Sequence, residues 1–277
     1  MPSILRRSLP VAFVAALLVA VLAPSPAVAA PPVPDSMASL GDSISRGYNA
    51  CGWYIDCPSR SFGTGDYGPV RSQYLRIRAR NAAISGHNYN DARTGATAAD
   101  VRGQASRAVA QRVQYVTMLI GANDACASSE AAMTPVSTFR GSIDSALATL
   151  KAGLPNASVE VISIPNLYQL WKVGHTNAGA LTLWSVYGIC RSMLYRAYSN
   201  SSADEARRQR VRQRVVDYNT QLARACAAYG PSCRFDRNAV FNYAFSLSEV
   251  STWDYFHPNT TGQAKLAGIT YAAGFNW

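Results

Sequence analysis

Histidine and lysine are scarce in this chain of 277 residues. The three histidines are His87, His175 and His257, so few side chains can act as a general base near neutral pH. Only three of the 26 basic residues are lysines. We interpret this arginine bias, together with the abundant alanine, as typical of a high-GC genome, and it therefore gives no indication of function.

Several motifs are also absent. The pentapeptide Gly-x-Ser-x-Gly, which carries the nucleophile of α/β-hydrolase esterases, does not occur. There is no Cys-x-x-Cys and no histidine at ligand spacing, so the sequence does not indicate a zinc or other metal site. No internal repeat or interdomain linker is evident, and we expect one globular domain.

The formal net charge of +10 is high for a chain of this length. A nucleic-acid-binding protein is expected to cluster such charge with aromatic residues in a recognisable motif. The densest basic cluster here, Arg207 to Arg214, lies on one face of a predicted helix. We interpret that face as solvated and expect no nucleic-acid partner. Contact with an anionic lipid surface is compatible with the charge, and the oligomeric state is left open.

Residues 1–29 have the pattern of a secretory signal peptide. Two arginines precede an apolar run from Leu9 to Leu22, and an Ala-x-Ala pattern ends at Ala29. The run is short for a membrane anchor of ~20 residues, so the sequence favours secretion, with cleavage after Ala29. Residues 30–36 then form a short proline-rich lead, and residues 37–277 are predicted to be a single domain.

The cysteines agree with export to an oxidising compartment. Six lie in the mature part: Cys51, Cys57, Cys126, Cys190, Cys226 and Cys233. Fifteen pairings of six cysteines exist. The first two and the last two close short loops and pair most economically, which leaves the middle two for each other. We therefore predict three disulfide bonds.

Short apolar runs alternate with helical patterns along the chain. Strands are predicted before Gly41 and at 81–85, 116–120 and 159–164, and helices at 70–80, 98–112, 136–151, 203–229 and 260–273. The stretch 167–196 has no clear pattern. This alternation indicates an α/β fold with a central parallel sheet. Since ligands bind beyond the carboxyl ends of such strands, the loops that hold Ser43, Gly95 and Asn123 are expected at one edge.

Ser43 stands in Gly41-Asp42-Ser43, directly after the first predicted strand and before a segment that we predict to begin a helix. A serine at such a turn can attack an acyl carbon while its own backbone N–H stabilises the oxyanion. The alternative is that Asp42 and Ser43 only cap the helix. We expect Asp42, and Asp124 in the later loop, to accept hydrogen bonds that fix their loops.

His257 has a carboxylate partner at a suitable spacing. Asp254 lies three residues upstream, and residues three apart in a turn share a face, so Asp254 can orient the imidazole. The alternative is that Asp254 caps a turn and His257 is only a surface residue. His87 and His175 have no such partner, and we interpret them as structural.

Four blocks together resemble one known family. Gly-Asp-Ser near the start, a glycine in a mid-chain loop, Gly-x-Asn-Asp after a strand and Asp-x-x-His near the end occur in the order and approximate spacing of the SGNH, or GDSL-type, hydrolases. The resemblance extends from about Ser39 to His257. The signal peptide, cysteines and arginine-rich composition resemble secreted actinobacterial esterases and lipases of that family.

The resemblance implies a fold and a role for each residue. The fold would be the flavodoxin-like three-layer α/β/α sandwich with a central parallel sheet. Ser43 would be the nucleophile, His257 the general base and Asp254 its orienting carboxylate. The backbone N–H groups of Ser43 and Gly95 and the side-chain amide of Asn123 would form the oxyanion hole. This chemistry requires no metal and no cofactor.

The resemblance also implies the substrate class. We expect a secreted enzyme that cleaves carboxylic esters, with lipid or fatty acyl esters, phospholipids among them, favoured. Four residues could line an acyl groove or simply pack in the core: Leu167, Tyr168, Leu170 and Trp171. The alternatives are an acetylesterase of plant polysaccharide in the same family and a secreted binding protein without catalysis.

Overall fold

The computed structural model describes residue 3, residues 31–275 and residue 277. Apart from Ser3, the predicted signal peptide lies outside the described residues. Residues 31–36, the described part of the lead, have no regular secondary structure, but Asn81 Nδ2 donates hydrogen bonds of 3.2 Å to the carbonyls of Val33 and Pro34. Within the described ranges, no helix has both the length and the apolar character needed to cross a membrane.

A five-stranded, fully parallel sheet forms the centre of the fold, in the order β2-β1-β3-β4-β5. This is the flavodoxin-like strand order, and it confirms the predicted α/β class. The strands are β1 (Met37–Gly41), β2 (Asn88–Asn90), β3 (Tyr115–Leu119), β4 (Ser158–Ile162) and β5 (Cys233–Phe235).

Helices cover both faces of the sheet and complete the three-layer α/β/α sandwich. Helices α2, α4 and α8 pack together on one face, and α1 and α10 pack together on the other. The helices are α1 (Gln73–Arg78), α2 (Val101–Gln111), α3 (Ala122–Ala125), α4 (Val136–Gly153), α5 (Leu167–Gly174), α6 (Ala178–Val186), α7 (Arg191–Leu194), α8 (Ser202–Tyr229), α9 (Ala239–Asn242) and α10 (Thr260–Ala273).

A buried polar cluster lies between the sheet and the layer of α1 and α10. Glu160 of β4 is fully buried, and one of its oxygens, Oε2, accepts from Gln73 Nε2 at 2.7 Å and from the Tyr115 hydroxyl at 2.6 Å. Gln73 also donates to Thr270 Oγ1 at 2.8 Å. Burial disfavours the charged form and raises the pKa of Glu160 to about 8, although the hydrogen bonds from Tyr115 and Gln73 oppose the shift.

Three disulfide bonds join the pairs that the sequence predicts, Cys51–Cys57, Cys126–Cys190 and Cys226–Cys233. The first closes the loop after Ser43. The second connects the end of α3 to the start of α7. The third joins α8 to β5, where the chain enters the sheet.

The strand prediction at 81–85 is wrong. The segment Ala82–Ile84 is a short 3-10 turn, because the Asn81 side chain accepts the backbone N–H of Ala83 and caps it. The strand comes later, as β2 at the edge of the sheet. It consists of three polar or aromatic residues, so it lacks the apolar run that would reveal it.

The predicted helix after Ser43 is also absent. Residues 43–51 form successive hydrogen-bonded turns instead. The backbone takes positive φ at Gly47 (+65°) and Asn49 (+61°), and such left-handed residues interrupt a right-handed helix.

The arginine face of α8 is only partly solvated, which corrects the sequence interpretation. Arg210 is exposed and pairs with Glu130. Arg208, in contrast, is fully buried, with its guanidinium 3.9 Å from the centroid of the Trp171 ring. It donates to the Ser199 carbonyl at 2.8 Å and to Glu205 Oε2 at 3.2 Å. Its charge is therefore compensated inside the protein by a carboxylate, a backbone oxygen and an aromatic face.

Candidate active site

The carboxyl edge of the sheet brings the predicted loops together. Ser43 follows β1, the loop containing Gly95 follows β2 and Asn123 follows β3. Arg93 N donates to the Gly41 carbonyl at 3.1 Å and Asn123 Nδ2 to the Ala96 carbonyl at 2.9 Å. The glycine loop is therefore hydrogen-bonded to the end of β1 on one side and to Asn123 on the other.

Gly41 allows the turn before Ser43. Its φ is +147°, and a Cβ at this position would lie 2.3 Å from the Leu119 carbonyl oxygen on β3. Only glycine permits such a backbone approach. Gln104 of α2 then holds the turn, since its side chain accepts from Gly41 N at 2.7 Å and donates to the Gly41 carbonyl at 2.9 Å.

Ser43, His257 and Asp254 form one hydrogen-bonded line. His257 Nε2 lies 2.8 Å from Ser43 Oγ, and His257 Nδ1 lies 2.5 Å from Asp254 Oδ2. Ser43 and Asp254 are buried, and the His257 side chain is 14% exposed. Residues separated by more than two hundred positions are thus placed in the geometry of a nucleophile with an oriented base.

The carboxylate of Asp254 is itself fixed from three sides. Its Oδ1 accepts the backbone N–H groups of Phe256 at 2.9 Å and His257 at 3.0 Å, and its Oδ2 accepts from Asn49 Nδ2 at 2.7 Å. Burial opposes the charged form, but the hydrogen bonds and the charge of His257 outweigh it, so the pKa of Asp254 is lowered.

Asn49 is a site residue that the sequence analysis missed. It is buried and lies in the loop after Ser43, where asparagine tolerates the left-handed backbone better than most residues. Tyr48, its neighbour, packs edge-on against the His257 ring with centroids 4.8 Å apart. No sequence pattern relates this loop to Asp254, so only the folded chain reveals the contact.

Two further carboxylates support the loops, as expected. Asp42 Oδ1 accepts Ile44 N and Asp124 Oδ2 accepts Ala98 N, both at 2.9 Å. Asp42 is fully buried, and its Oδ2 has no hydrogen-bond partner among the described residues. Burial raises the pKa of Asp42 to about 7, although the bond from Ile44 opposes the shift.

Several hydrogen-bond donors face this edge. The backbone N–H groups of Ser43 and Gly95 have no acceptor within the described part of the chain. Gly95 has φ +80° and a Cβ there would meet nothing within 4 Å, so glycine is required for its backbone conformation and not for space. Asn123 uses its side-chain amide to contact Ala96, and an amide nitrogen has a second hydrogen to donate.

Two cavities adjoin the line. A narrow crevice of about 50 Å³ has an almost wholly apolar lining that includes Ile44, Leu167, Leu170, Phe245, Phe256 and Pro258. A larger pocket of about 340 Å³ lies against His257 and is walled by Tyr48, Tyr54, Tyr187 and Ile189.

The four residues suggested for an acyl groove therefore divide into two pairs. Leu167 and Leu170 line the crevice. Trp171 is buried and donates to the Ala197 carbonyl at 2.8 Å, and the Tyr168 hydroxyl donates to Glu205 at 2.6 Å.

The other two histidines lie apart from this line. His87 Nδ1 contacts the Ala83 carbonyl at 3.1 Å, and His175 stacks on Trp171 with ring centroids 4.6 Å apart. Both contacts are structural, as the sequence analysis predicts.

The strand order and the loops at the carboxyl edge place the chain in the class of three-layer α/β/α proteins with a site beyond the ends of a parallel sheet. The sequence model of the GDSL-like lipase/acylhydrolase family matches residues 37–268, and the chain belongs to that family. It is therefore a carboxylic ester hydrolase. Among curated proteins no sequence match was found.

Two solved structures with TM-scores above 0.5 have the same fold, and a third superposes less closely. A protein named GDSL-like lipase from Parabacteroides merdae superposes with a TM-score of 0.53 at 15% identity, covering 86% of this chain and 94% of that one. A variant of an acetylxylan esterase from Geobacillus stearothermophilus gives 0.51 at 13% identity, covering 87% and 95%. An extracellular lipase from Streptomyces rimosus gives 0.47 at 19% identity, covering 86% and 99%. At these identities the likeness concerns the fold alone.

Proposed function

We propose that the protein is a secreted serine hydrolase that cleaves carboxylic esters through an acyl-enzyme on Ser43. The observation that carries this proposal is the line from Ser43 Oγ to His257 at 2.8 Å and from His257 to Asp254 at 2.5 Å. A serine hydrogen-bonded to an oriented base is what nucleophilic acyl transfer requires.

The mechanism follows from these positions. His257 Nε2 accepts the Ser43 proton as Oγ attacks the ester carbonyl carbon. The developing oxyanion accepts hydrogen bonds from the N–H groups of Ser43 and Gly95 and from the Asn123 amide. His257 then donates the proton to the departing alcohol. Water, activated by the same imidazole, attacks the acyl-enzyme and releases the acid, while Asp254 stabilises the imidazolium.

For the acyl group we propose a lipid or fatty acyl chain. The crevice has an apolar lining that includes Ile44, which follows Ser43 in the chain, and Phe256 and Pro258, which flank His257. An apolar chain gains free energy by leaving water for such a lining. Leu167 and Leu170 of α5 supply one wall, and Phe256 supplies another.

A short acyl group is the second candidate, and the size of the crevice favours it. About 50 Å³ accommodates an acetyl group or a slightly longer one without movement of the walls. In that case the substrate is an acetylated alcohol such as an acetylated sugar. The length of the acyl chain therefore separates the two candidates.

Secretion is proposed from the N-terminal sequence and the cysteines. Residues 1–29 have the signal-peptide pattern, and three disulfide bonds persist best in an oxidising compartment. The mature chain then begins near Ala30. Mass spectrometry of the N-terminus of protein from the culture medium tests the cleavage site directly.

The test of function is hydrolysis of p-nitrophenyl esters from acetate to palmitate by the protein and by its Ser43→Ala variant. We expect activity in the first and a loss of at least about 10³-fold in the second. An optimum at long chains supports the lipid substrate, and an optimum at acetate supports the acetylesterase. Equal rates in both proteins at every chain length contradict a serine mechanism and favour a binding protein without catalysis.

A further inference from the structure

Large exposed side chains lie on the segments that line the pocket beside His257 and on the segment that borders the neighbouring pocket. We name this surface the aromatic rim, and it comprises Trp53, Tyr54, Ile55, Val186, Tyr187, Tyr198 and Trp253. Their exposed fractions run from 40% for Trp253 to 75% for Trp53. Single exposed apolar residues are ordinary, but a group of them beside an active site marks an interaction surface.

The rim is continuous across two loops. Trp53 stacks on Trp253 with ring centroids 5.6 Å apart, and Tyr54 contacts both Trp253 at 5.5 Å and Tyr187 at 6.0 Å. The disulfide-closed loop 51–57 thus packs against the turn before His257 and the end of α6.

The rim continues past the active site. Ile189 lines the pocket beside His257 and also a neighbouring pocket of about 250 Å³, which Tyr198 borders. Val186, at the end of α6, directly precedes Tyr187. The exposed apolar side chains therefore extend from loop 51–57 to the segment that follows α7.

Backbone conformation at the rim indicates that this exposure is not incidental. Trp53 has φ +73° and Tyr54 has φ +51°, and bulky residues in the left-handed region are uncommon and cost free energy. Such strain at an exposed aromatic residue is typical of a functional surface.

Cationic side chains flank one end of the rim. Arg191 and Arg207 both lie against the Tyr195 ring, at 5.5 and 5.7 Å from its centroid. Arg196 and Arg207 share one carboxylate, Asp204, and Arg191 has no ion pair among the described residues. A second carboxylate, Glu130, lines a pocket with Arg191 and Arg207 and pairs with Arg210. Four guanidinium groups against two carboxylates still give this end a positive charge that complements an anionic partner.

We propose that the aromatic rim docks on an anionic lipid surface and so presents the pocket beside His257 to the esters within it. This inference rests on the proposed function and adds a surface to it. Tyrosine and tryptophan are enriched where protein meets the headgroup region of a bilayer, and arginine at the same level pairs with phosphate.

The composition of the rim favours a lipid surface over a polysaccharide. Ile55 and Val186 are aliphatic and 52% and 70% exposed, and they offer an acyl layer a contact that they cannot offer a polar sugar. The arginines add a partner for phosphate.

The test measures binding without hydrolysis. Protein carrying Ser43→Ala is sedimented with vesicles of phosphatidylcholine alone and of equal parts phosphatidylcholine and phosphatidylglycerol. We expect binding to the mixed vesicles, weaker binding to the neutral ones, and a decline with added salt. In the same background Trp53→Ala and Val186→Ser should each weaken binding by about tenfold. Brominated lipid should quench tryptophan fluorescence less in the Trp53→Ala protein.

A matched pair of charge variants provides the control. Arg191→Gln removes a cation at the rim. Arg224→Gln removes an exposed cation on α8, seventeen residues beyond Arg207 and so ~25 Å further along the helix. Only the first should weaken binding. Equal effects of both variants, or binding unchanged by Trp53→Ala and Val186→Ser, overturn the proposal. Retention on insoluble xylan without binding to vesicles overturns it in favour of a carbohydrate surface.

This outcome is independent of the ester assay. If the Ser43→Ala protein does not bind vesicles while the unaltered protein hydrolyses esters, only the docking surface is overturned. Absence of ester hydrolysis by the unaltered protein contradicts the proposed function, whatever the vesicles show. Circular dichroism of each variant establishes that it is folded.

Discussion

Asn49 Nδ2 donates a hydrogen bond of 2.7 Å to Asp254 Oδ2, the same oxygen that lies 2.5 Å from His257 Nδ1. The two residues are 205 positions apart and both are buried. The bond ties the turns after Ser43 to the turn that carries His257. It also holds the carboxylate of Asp254 in one orientation, and through it the imidazole, so Asn49 acts as a positioning residue.

Replacing Asn49 by glycine is the first test of this arrangement. Glycine accepts the φ of +61° at this position without strain, so the substitution removes the amide and leaves the backbone. We expect kcat on p-nitrophenyl butyrate to fall by about tenfold with little change in KM, because the bond orients the base and does not touch the ester. Asn200→Gly, at an exposed loop position, should leave both constants unchanged. An increase in KM with kcat unchanged would contradict the positioning role.

Asn123→Ala tests the oxyanion hole. Removal of one donor to the developing oxyanion should lower kcat on the order of 10²–10³-fold and leave KM nearly unchanged. Because the Asn123 amide also donates to the Ala96 carbonyl at 2.9 Å, Asn123→Asp serves as the companion. It keeps the size of the side chain but removes both amide hydrogens, the one donated to Ala96 included, and adds a negative charge. The loss in kcat should therefore be at least as large as in Asn123→Ala. Steady-state kinetics of both variants test this prediction. A kcat within a few-fold of that of the unaltered protein would remove Asn123 from the proposed site.

Glu160→Gln should change how stability depends on pH. The pKa of Glu160 is about 8 in the folded protein against 4.5 as its ordinary value, so the folded state binds this proton more tightly. The stability that this bound proton contributes is fully present below about pH 4.5 and is lost as the pH rises through about 8. Glutamine stays neutral, and the fall in unfolding free energy from about pH 5 to about pH 9 should therefore shrink in urea titrations.

Glu130→Gln is the matched control for that experiment. Glu130 pairs with Arg210, whose hydrogen bond lowers its pKa, so its contribution has the opposite pH dependence. Its replacement should not reduce the loss of stability toward high pH. Asp42, whose raised pKa of about 7 acts in the same direction, remains in both proteins, and some slope should persist. An unchanged slope in Glu160→Gln would mean that Glu160 does not titrate in this range.

The disulfide bonds should differ in what they contribute to stability. Cys126 and Cys190 are 64 residues apart, and Cys226 and Cys233 only seven. In the loop-entropy description the longer loop is worth about 4 kcal/mol and the shorter about 2 kcal/mol. Urea titration of the two double alanine variants measures this difference. A larger loss from the short loop would show that native contacts, and not chain entropy, dominate.

Much of the fold could be read from the sequence. The buried strands β1, β3 and β4 are mostly apolar, and α4 and α8 have apolar residues at helical spacing on the buried face, so local pattern and burial agree there. The edge strands β2 and β5 are three residues each and partly exposed. They owe their conformation to pairing with β1 and β4, which no local pattern reveals.

In the candidate site too, some residues could be predicted from local sequence and one could not. Ser43, Gly95, Asn123, Asp254 and His257 stand in four blocks of recognisable residue type and order, so the sequence alone indicated the family, which the family model confirms, and proposed these residues for the site. Their assembly follows from a parallel sheet, which brings the loops after its strands to one edge. Asn49, by contrast, has no motif.

What the sequence by itself determined is therefore the α/β class, the pairing of the cysteines by spacing and the residues proposed for catalysis, because these depend on local pattern. Only the tertiary structure decided that Asn49 holds Asp254, that Arg208 is buried on Trp171 and that Trp53 stands exposed beside the pocket. Each of these depends on contacts between distant segments, and the environment of a side chain is set by whichever segments the fold packs around it.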